Sequence, residues 1–336
     1  MEALSPDEGE EFDPETFLHT TAPAPAGASA PATYGTPHNE IGIIVEVPAC
    51  TLRATAHPVA AHAYLEGRSL TPTYNTLRID RPRPGVVLAE LNRPDRMNAI
   101  TFEMFDEFIA LQREVDADPA VRVLVLTGGG RGFSAGLDLD EAATLPSMPA
   151  AEMLAGQQNW AASIAGFRTM KKPVIAAVNG AAAGAGMALA LAADIRVGSH
   201  AAKFNAAFVR IGLSGGDCGT SWLLPRLIGL GRANEMLLTG RFVHAEEALA
   251  IGLLTSVVEP ERLLETAFGI AAQICANSPI GMQLTKHVVQ TNVDAPSLEA
   301  ALTVENCNQV LATRTEDMVE ALTAFREKRP PQFVGR

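Results

Sequence analysis

The sequence predicts an α/β fold that ends in a helical region, on three observations. Apolar runs of strand length recur at Val86–Leu91, Val121–Leu126 and Pro173–Val178. Runs of helical spacing or composition lie between them. From Glu261 to Phe325 the chain reads as helices alone, broken near Ser278-Pro279 and Asp294–Ser297.

Taken in order, Met1 to about Pro72 is an extension, acidic at first and then rich in Ala and Pro over Thr20–Pro37. That composition predicts disorder. Within it Ile41–Val47 is apolar enough for a strand. After Val86–Leu91, the segment Arg93–Ala99 reads as a loop. Phe102–Val115 carries Phe102, Phe105, Phe108, Ile109 and Val115 at helical spacing, with Glu103 suited to the positive N-terminal end. Ala150–Met170 reads as a helix that carries Trp160, expected in the core or else against a ligand pocket. Ile195–Gly198 is a further strand, and Lys203–Leu213 leads to a glycine cluster at Gly215–Gly219. Ala233–Thr239 and Ala245–Ile251 read as helices, the second stopped by Gly252, and Leu254–Val258 as a strand. The expected organisation is an extension over 1–75, an α/β core over 76–270 and a helical region over 271–336.

Composition bounds the function. The 336 residues carry a net charge of −12 and 47% hydrophobic residues. An acidic chain of this kind is not a general nucleic-acid binder. An anionic small molecule can still be held by a local basic patch. The four cysteines Cys50, Cys218, Cys275 and Cys307 are scattered without metal-ligand spacing. No metal site is expected, and a reduced, cytoplasmic setting is favoured. The start, MEALSPDEGEEFDPE, is acidic and shows no signal-peptide pattern. The longest apolar run, Val174–Ala193, is broken by glycines and fits a core better than a membrane span.

Function concentrates in two stretches. Pro173–Asp194, PVIAAVNGAAAGAGMALALAAD, reads as a buried strand, a small-residue turn and a helix with almost no polar face. Free N–H groups at such a turn, with the positive end of the helix, favour negative charge at one spot. Gly180-x-x-x-Gly184-x-Gly186 mimics a dinucleotide-binding pattern. That pattern belongs on the first strand of its fold, and its chemistry uses a downstream tyrosine. Tyr34, Tyr64 and Tyr74 all lie upstream. Tight packing of small residues is the plainer reading. Val121–Leu139, VRVLVLTGGGRGFSAGLDL, supplies a second strand and glycine-rich turn. Gly132-Phe-Ser134-Ala-Gly136 also matches the serine-hydrolase elbow. In an elbow, however, the serine follows its strand directly, and here Gly128–Gly132 intervenes.

Together, Phe133–Leu139 (FSAGLDL) and Asn179–Gly186 (NGAAAGAG) resemble the enoyl-CoA hydratase/isomerase (crotonase) superfamily, from about Thr76 to Phe333. The resemblance implies a crotonase-like spiral of ββα turns with a C-terminal helical region, assembled as trimers or trimer pairs. It implies an acyl-CoA thioester as substrate and no permanently bound cofactor. Its thioester oxygen sits between two backbone N–H groups, which here are those of Leu137 and Ala185. Such a donor is worth a few kcal/mol in the transition state. Coenzyme A contacts carried over from the family fall on Arg93, Arg96, Met97, Asn98, Ala99, Ala135 and Leu137. Lys328 matches a basic residue that reaches a coenzyme A phosphate, often across subunits.

The chain departs from the hydratase pattern. Hydratases of this superfamily carry two glutamates, at positions that are Ala188 and Phe208 here. Asp217, in GLSGGDCGTSWLLPRLIG, resembles the aspartate that several relatives use. Enoyl- and dienoyl-CoA isomerases use it for proton transfer, and haloacyl-CoA dehalogenases use it as a nucleophile. A helix N-cap is its plain alternative. Asp138 and Asp194 read as structural. The expectation is enoyl-CoA double-bond isomerisation with Asp217 as acid and base. Hydration, dehalogenation and acyl-CoA binding without turnover are the alternatives.

Overall fold

A computed structural model describes residues 74–336. The readings placed on residues 1–73, including the strand-like Ile41–Val47, lie outside the described residues. The described chain opens with an antiparallel pair, β1 (Leu77–Arg83) and β2 (Val86–Leu91), followed by α1 (Phe102–Ala117). It then repeats one unit three times: a strand, a second strand in another sheet, and a helix. The first unit is β3 (Val123–Gly128), β4 (Gly132–Ser134), the short α2 (Leu139–Ala142) and α3 (Ala150–Thr169). The second is β5 (Val174–Val178), β6 (Ala181–Ala183) and α4 (Ala185–Ala192). The third is β7 (Ile195–Ser199), β8 (Lys203–Asn205), α5 (Thr220–Ile228) and α6 (Leu230–Thr239). After β9 (Val243–His244), α7 (Ala245–Ala250) and β10 (Ser256–Val258) come α8 (Leu263–Cys275), α9 (Pro279–Asn292), α10 (Leu298–Ala312) and α11 (Glu316–Glu327).

One sheet runs β1-β2-β3-β5-β7-β10, and the other β4-β6-β8-β9. Within them β3, β5 and β7 are parallel neighbours, as are β4, β6 and β8. This is a spiral of ββα turns with a helical C-terminal region, the architecture the resemblance implies.

Residue choice explains the layers. Strands β3 (VLVLTG) and β5 (VIAAV) are buried on both faces, as central parallel strands require. Leu124, Leu126, Val174 and Ala176 face the main core with α1, α3 and α4. Their alternates Val123, Val125, Ile175 and Ala177 face Leu263, Ala267, Phe268 and Ala271 of α8. Every residue of α4 is buried, packed against β4 and β6 of the second sheet and against α3 and α5. At the far end of β5 Asp194 accepts from Val174 N (2.8 Å) and pairs with the buried Lys286 Nζ (2.8 Å), which ties α9 to the core. Its role is structural, as expected.

Two strands differ from the reading of the sequence. Gly132–Ser134 and Ala181–Ala183 are strands of the second sheet rather than turn. Three residues such as Gly-Phe-Ser or Ala-Ala-Ala carry no period-2 signal, and only pairing with neighbouring chain defines them. The Lys203–Leu213 segment likewise splits into β8 and a 3-10 turn over Ala207–Ile211. Among the described residues, no helix is long and apolar enough to cross a membrane.

Candidate active site

The site is built on the segments that follow β4 and β6, braced by the loops that leave β3 and β5. The glycine-rich loop after β3 is held by two asparagine side chains. Asn98 is fully buried; its Nδ2 donates to Gly129 O and Gly132 O, both at 2.8 Å, and its Oδ1 accepts from Arg93 N (3.0 Å). Asn179 Nδ2 donates to Gly128 O and Gly130 O, both at 2.9 Å. The next residues pair with Met97–Ile100. Ala135 N donates to Met97 O, Ile100 N to Gly136 O, and Asp138 N to Ile100 O. Gly136 N donates to Ser134 Oγ (3.2 Å). Leu137 N lies between these paired groups and has no partner among the described residues.

The second loop leaves β6. Gly184 holds φ +50 and ψ −121, and its N–H donates to Asn205 O (3.0 Å). Ala185 follows as the first helical residue of α4. Its N–H has no helical partner, as expected at a helix start, and none elsewhere among the described residues. The two loops touch. A β-carbon on Gly136 would lie 2.7 Å from Ala183 O and 3.3 Å from Ala185 N, so only glycine fits there.

Leu137 and Ala185 both line one cavity of about 340 Å³. Phe105, Trp160 and Phe208 form much of its apolar wall. Trp160 stacks on Phe102 with ring centroids 4.5 Å apart, so it belongs to both core and cavity. The titratable lining residues are Asp217 and Cys218. Burial, reinforced by the Asp217 carboxylate, pushes the Cys218 thiol far above its ordinary range and keeps it neutral.

Asp217 Oδ1 accepts from Cys218 N (2.7 Å) and from Gln157 Nε2 (2.5 Å). Oδ2 has no partner among the described residues. Asp217 does not cap α5; Gly219 stands at the cap, in the left-handed conformation with no side-chain bond. Gln157, on α3, escaped the sequence reading. A lone glutamine on a helix carries no signal until folding sets it against a carboxylate sixty residues away.

The remaining expected residues separate. Arg93 Nη1 donates to Ala99 O (2.6 Å) and to Asp138 Oδ2 (2.7 Å). Burial alone would raise the Asp138 carboxyl; the Arg93 guanidinium and the Asp140 N–H outweigh it and hold it below its ordinary value. Asp138 also caps α2 and is structural. Met97 lies against Arg131, and exposed Arg96 approaches Asp140 at 3.5 Å. Asn98 and Ala99 are buried in the loop, whereas Ala135 is exposed and lines the cavity. Lys328 ends α11 with φ +55, exposed and not among the cavity residues.

Two alternative readings fall here. Ser134 is fully buried, its Oγ donates to Asn98 O (2.8 Å), and no histidine among the described residues lines the cavity, which speaks against a hydrolase nucleophile. The glycines Gly180–Gly186 do not run straight from strand into helix, because β6 of the second sheet lies between, so they do not form a dinucleotide turn.

A family model described as Enoyl-CoA hydratase/isomerase matches residues 82–336. The chain belongs to the enoyl-CoA hydratase/isomerase family. A Mycobacterium tuberculosis protein named "Probable enoyl-CoA hydratase EchA12" is 41% identical over 283 residues, which cover 83% of this chain and 98% of that protein. The 1,2-epoxyphenylacetyl-CoA isomerase of Escherichia coli is 38% identical over 253 residues, covering 75% and 96%. The crystal structure of an enoyl-CoA hydratase from Bacillus anthracis is 33% identical, with a TM-score of 0.73 and coverage of 78% and 100%. The names of these relatives thus divide between hydratase and isomerase.

Against the family pattern of two glutamates, Ala188 lies fully buried in α4 and Phe208 lines the cavity. Asp217 is the one carboxylate among the lining residues.

The loop architecture generates a stability prediction. Asn98→Ala leaves Gly129 O and Arg93 N without their partner, leaves Gly132 O the longer bond from Asn179 Nδ2 (3.2 Å), and puts alanine at φ +54. The loss is expected to be about 3 kcal/mol, read as a lower urea midpoint. A midpoint equal to wild type would show that the loop does not depend on this side chain.

Proposed function

We propose that the protein moves the double bond of an enoyl-CoA thioester through a thioester enolate. The observation that carries this reading is a single carboxylate, with one free oxygen, on a cavity that also presents two unpaired backbone N–H groups. The thioester oxygen is held by Leu137 N–H and Ala185 N–H, with the start of α4 adding its positive end. Asp217 Oδ2 takes a proton from the α-carbon of a 3-enoyl thioester. The C–H electron pair becomes the C1–C2 π bond of a dienolate, whose oxygen charge rests on the two N–H groups. Asp217 then returns the proton to the γ-carbon, giving the 2-enoyl thioester. Nothing is gained or lost overall, so the reaction needs no cofactor.

Arg93–Ala99, Ala135 and Leu137 are proposed to form the coenzyme A edge of the site, with Lys328 reaching a phosphate. Because Arg93 and Asn98 are already engaged within the loop, their role there is to shape it. Leu302, Val310, Leu311, Val319, Leu322 and Phe325 leave an exposed apolar surface on α10 and α11, which supports a homo-oligomer.

Hydration is disfavoured, because water needs carboxylate acceptors that Ala188 and Phe208 cannot supply. Crotonyl-CoA hydration is expected to run about 10²–10⁴-fold below isomerisation of a matched 3-enoyl-CoA. Comparable rates in one assay by mass spectrometry would contradict the isomerase reading.

Two variants probe the roles. Ala185→Pro places proline at the first helical position, where the helix tolerates its ring, and replaces the N–H by a ring carbon that faces the cavity. A fall in kcat/KM of about 10²–10³-fold is expected with little change in melting temperature. Wild-type kinetics in the folded variant would remove Ala185 from the site. Asp217→Asn keeps shape and loses basicity. Turnover is expected to fall about 10²-fold or more, and α-proton exchange with deuterated water should fall with it, while acyl-CoA affinity changes little. Undiminished exchange would rule Asp217 out as the base. A covalent ester on Asp217 with a halogenated acyl-CoA would instead mark a nucleophile.

A further inference from the structure

We infer that Gln157 is a positioning residue that fixes which oxygen of Asp217 carries the proton and how readily it does so. This rests on the isomerase reading above. The two oxygens of Asp217 stand in different settings. Oδ1 receives two hydrogen bonds, from Cys218 N (2.7 Å) and from Gln157 Nε2 (2.5 Å). Oδ2 receives none from the described residues. A carboxylate oxygen with two donors is a poor proton acceptor, because protonation there would turn a hydrogen bond into a clash of hydrogens. Oδ2 therefore takes the proton.

The pair is rigid for reasons visible in the fold. Gln157 sits on α3 one turn before Trp160, whose ring is clamped against Phe102 and Phe105. Asp217 sits between Gly216 and Cys218, and Cys218 holds φ +48, a left-handed conformation that a non-glycine residue rarely adopts. Cys218 N is thereby turned onto its own neighbour's carboxylate. The carboxylate thus cannot rotate without giving up both donors. A base held this way exposes the same oxygen to the α- and the γ-carbon in turn, which a one-base proton transfer requires.

Two side chains stand beside the carboxylate, the Gln157 amide and the neutral Cys218 thiol, and of these the amide makes the 2.5 Å bond. Among the lining residues of the cavity, Cys218 is the other titratable group, and it stays neutral. Lining residues from α1, α3, α4 and the loops carry no further charge. A hydrogen bond to the ionised form favours that form. Removing it disfavours the carboxylate, so the group holds its proton to higher pH, and a base that must be ionised loses activity on the acid side.

The experiment uses the full chain with ¹³C-labelled aspartate, the Asp217 signal being assigned by its loss in Asp217→Asn. Its carboxyl is titrated in wild type, Gln157→Met and Gln157→Glu, and kcat/KM against pH is followed with a 3-enoyl-CoA. In Gln157→Met the carboxyl midpoint and the acid limb of kcat/KM are expected to move together to higher pH. The shift should be about 1–2 pH units, the equivalent of one charge-assisted hydrogen bond, with KM changed less than about threefold. In Gln157→Glu two adjacent carboxyls would share one proton, and the apparent midpoint should rise further. A merely structural role would lower kcat at every pH and leave the midpoint in place. An unmoved Asp217 midpoint in either folded variant overturns the inference. If wild type turns over no 3-enoyl-CoA, the isomerase reading fails, and the carboxyl titration still decides whether Gln157 controls Asp217.

Discussion

The structure depends on how closely two backbone turns approach. A β-carbon on Gly186 would lie 2.5 Å from Ser134 O, and one on Gly136 would lie 2.7 Å from Ala183 O. Neither distance is tolerable for a real side chain. Glycine at these points lets α4 begin directly beneath the loop that leaves β4, so Leu137 and Ala185 come to share one cavity. A side chain at either would push the loops apart.

The spiral makes the convergence of the two residues a consequence of topology. Strands β4 and β6 occupy the same place in successive ββα units and pair in parallel, with Ser134 opposite Ala182. Equivalent points on neighbouring strands stand about 4.8 Å apart. That spacing suits two N–H groups that approach a single oxygen from either side at hydrogen-bond distance. Ala135, Gly136, Asp138 and Gly184 donate their N–H within the protein, whereas among the described residues Leu137 N–H has no acceptor and Ala185 N–H is free as the start of α4 leaves it. Backbone donors in buried regions are nearly always paired. In the proposed reaction these two N–H groups take the thioester oxygen as their acceptor.

Much of this was legible in the chain itself. The strands β2, β3 and β5 are dense in Val, Leu and Ile, and the α1 stripe ending in Phe105 and Phe108 is periodic, so burial could be read from spacing. The glycine turns and Asp217 were legible through their motifs. What escaped has no local signature. Strands β4 and β6 are made of Gly, Phe, Ser and Ala and exist through lateral pairing. Gln157 meets Asp217 only because α3 crosses the cavity. Arg93 looked available to an anionic ligand, yet it is engaged with Asp138, because an internal carboxylate competes for the same cation. The motif fixed the neighbourhood of these residues, and tertiary packing decided their bonds.

The positions that set this chain apart from the two-glutamate pattern act on water as much as on protons. Phe208 packs over Gly184, with its ring 3.5 Å from where a β-carbon would stand, and Ala188 is sealed in α4. A glutamate at either would bring an acceptor able to anchor a water beside the β-carbon of a 2-enoyl thioester. An aromatic ring and a methyl group offer no such anchor. In the proposed reaction this matters at the second step, since the product is itself a substrate for hydration. In that reaction the dienolate takes its proton from the carboxylic acid that Asp217 has just become. The ratio of isomerisation to hydration is then set by where the wall can hold a water, and the aromatic ring and the methyl group remove two such places beside the β-carbon.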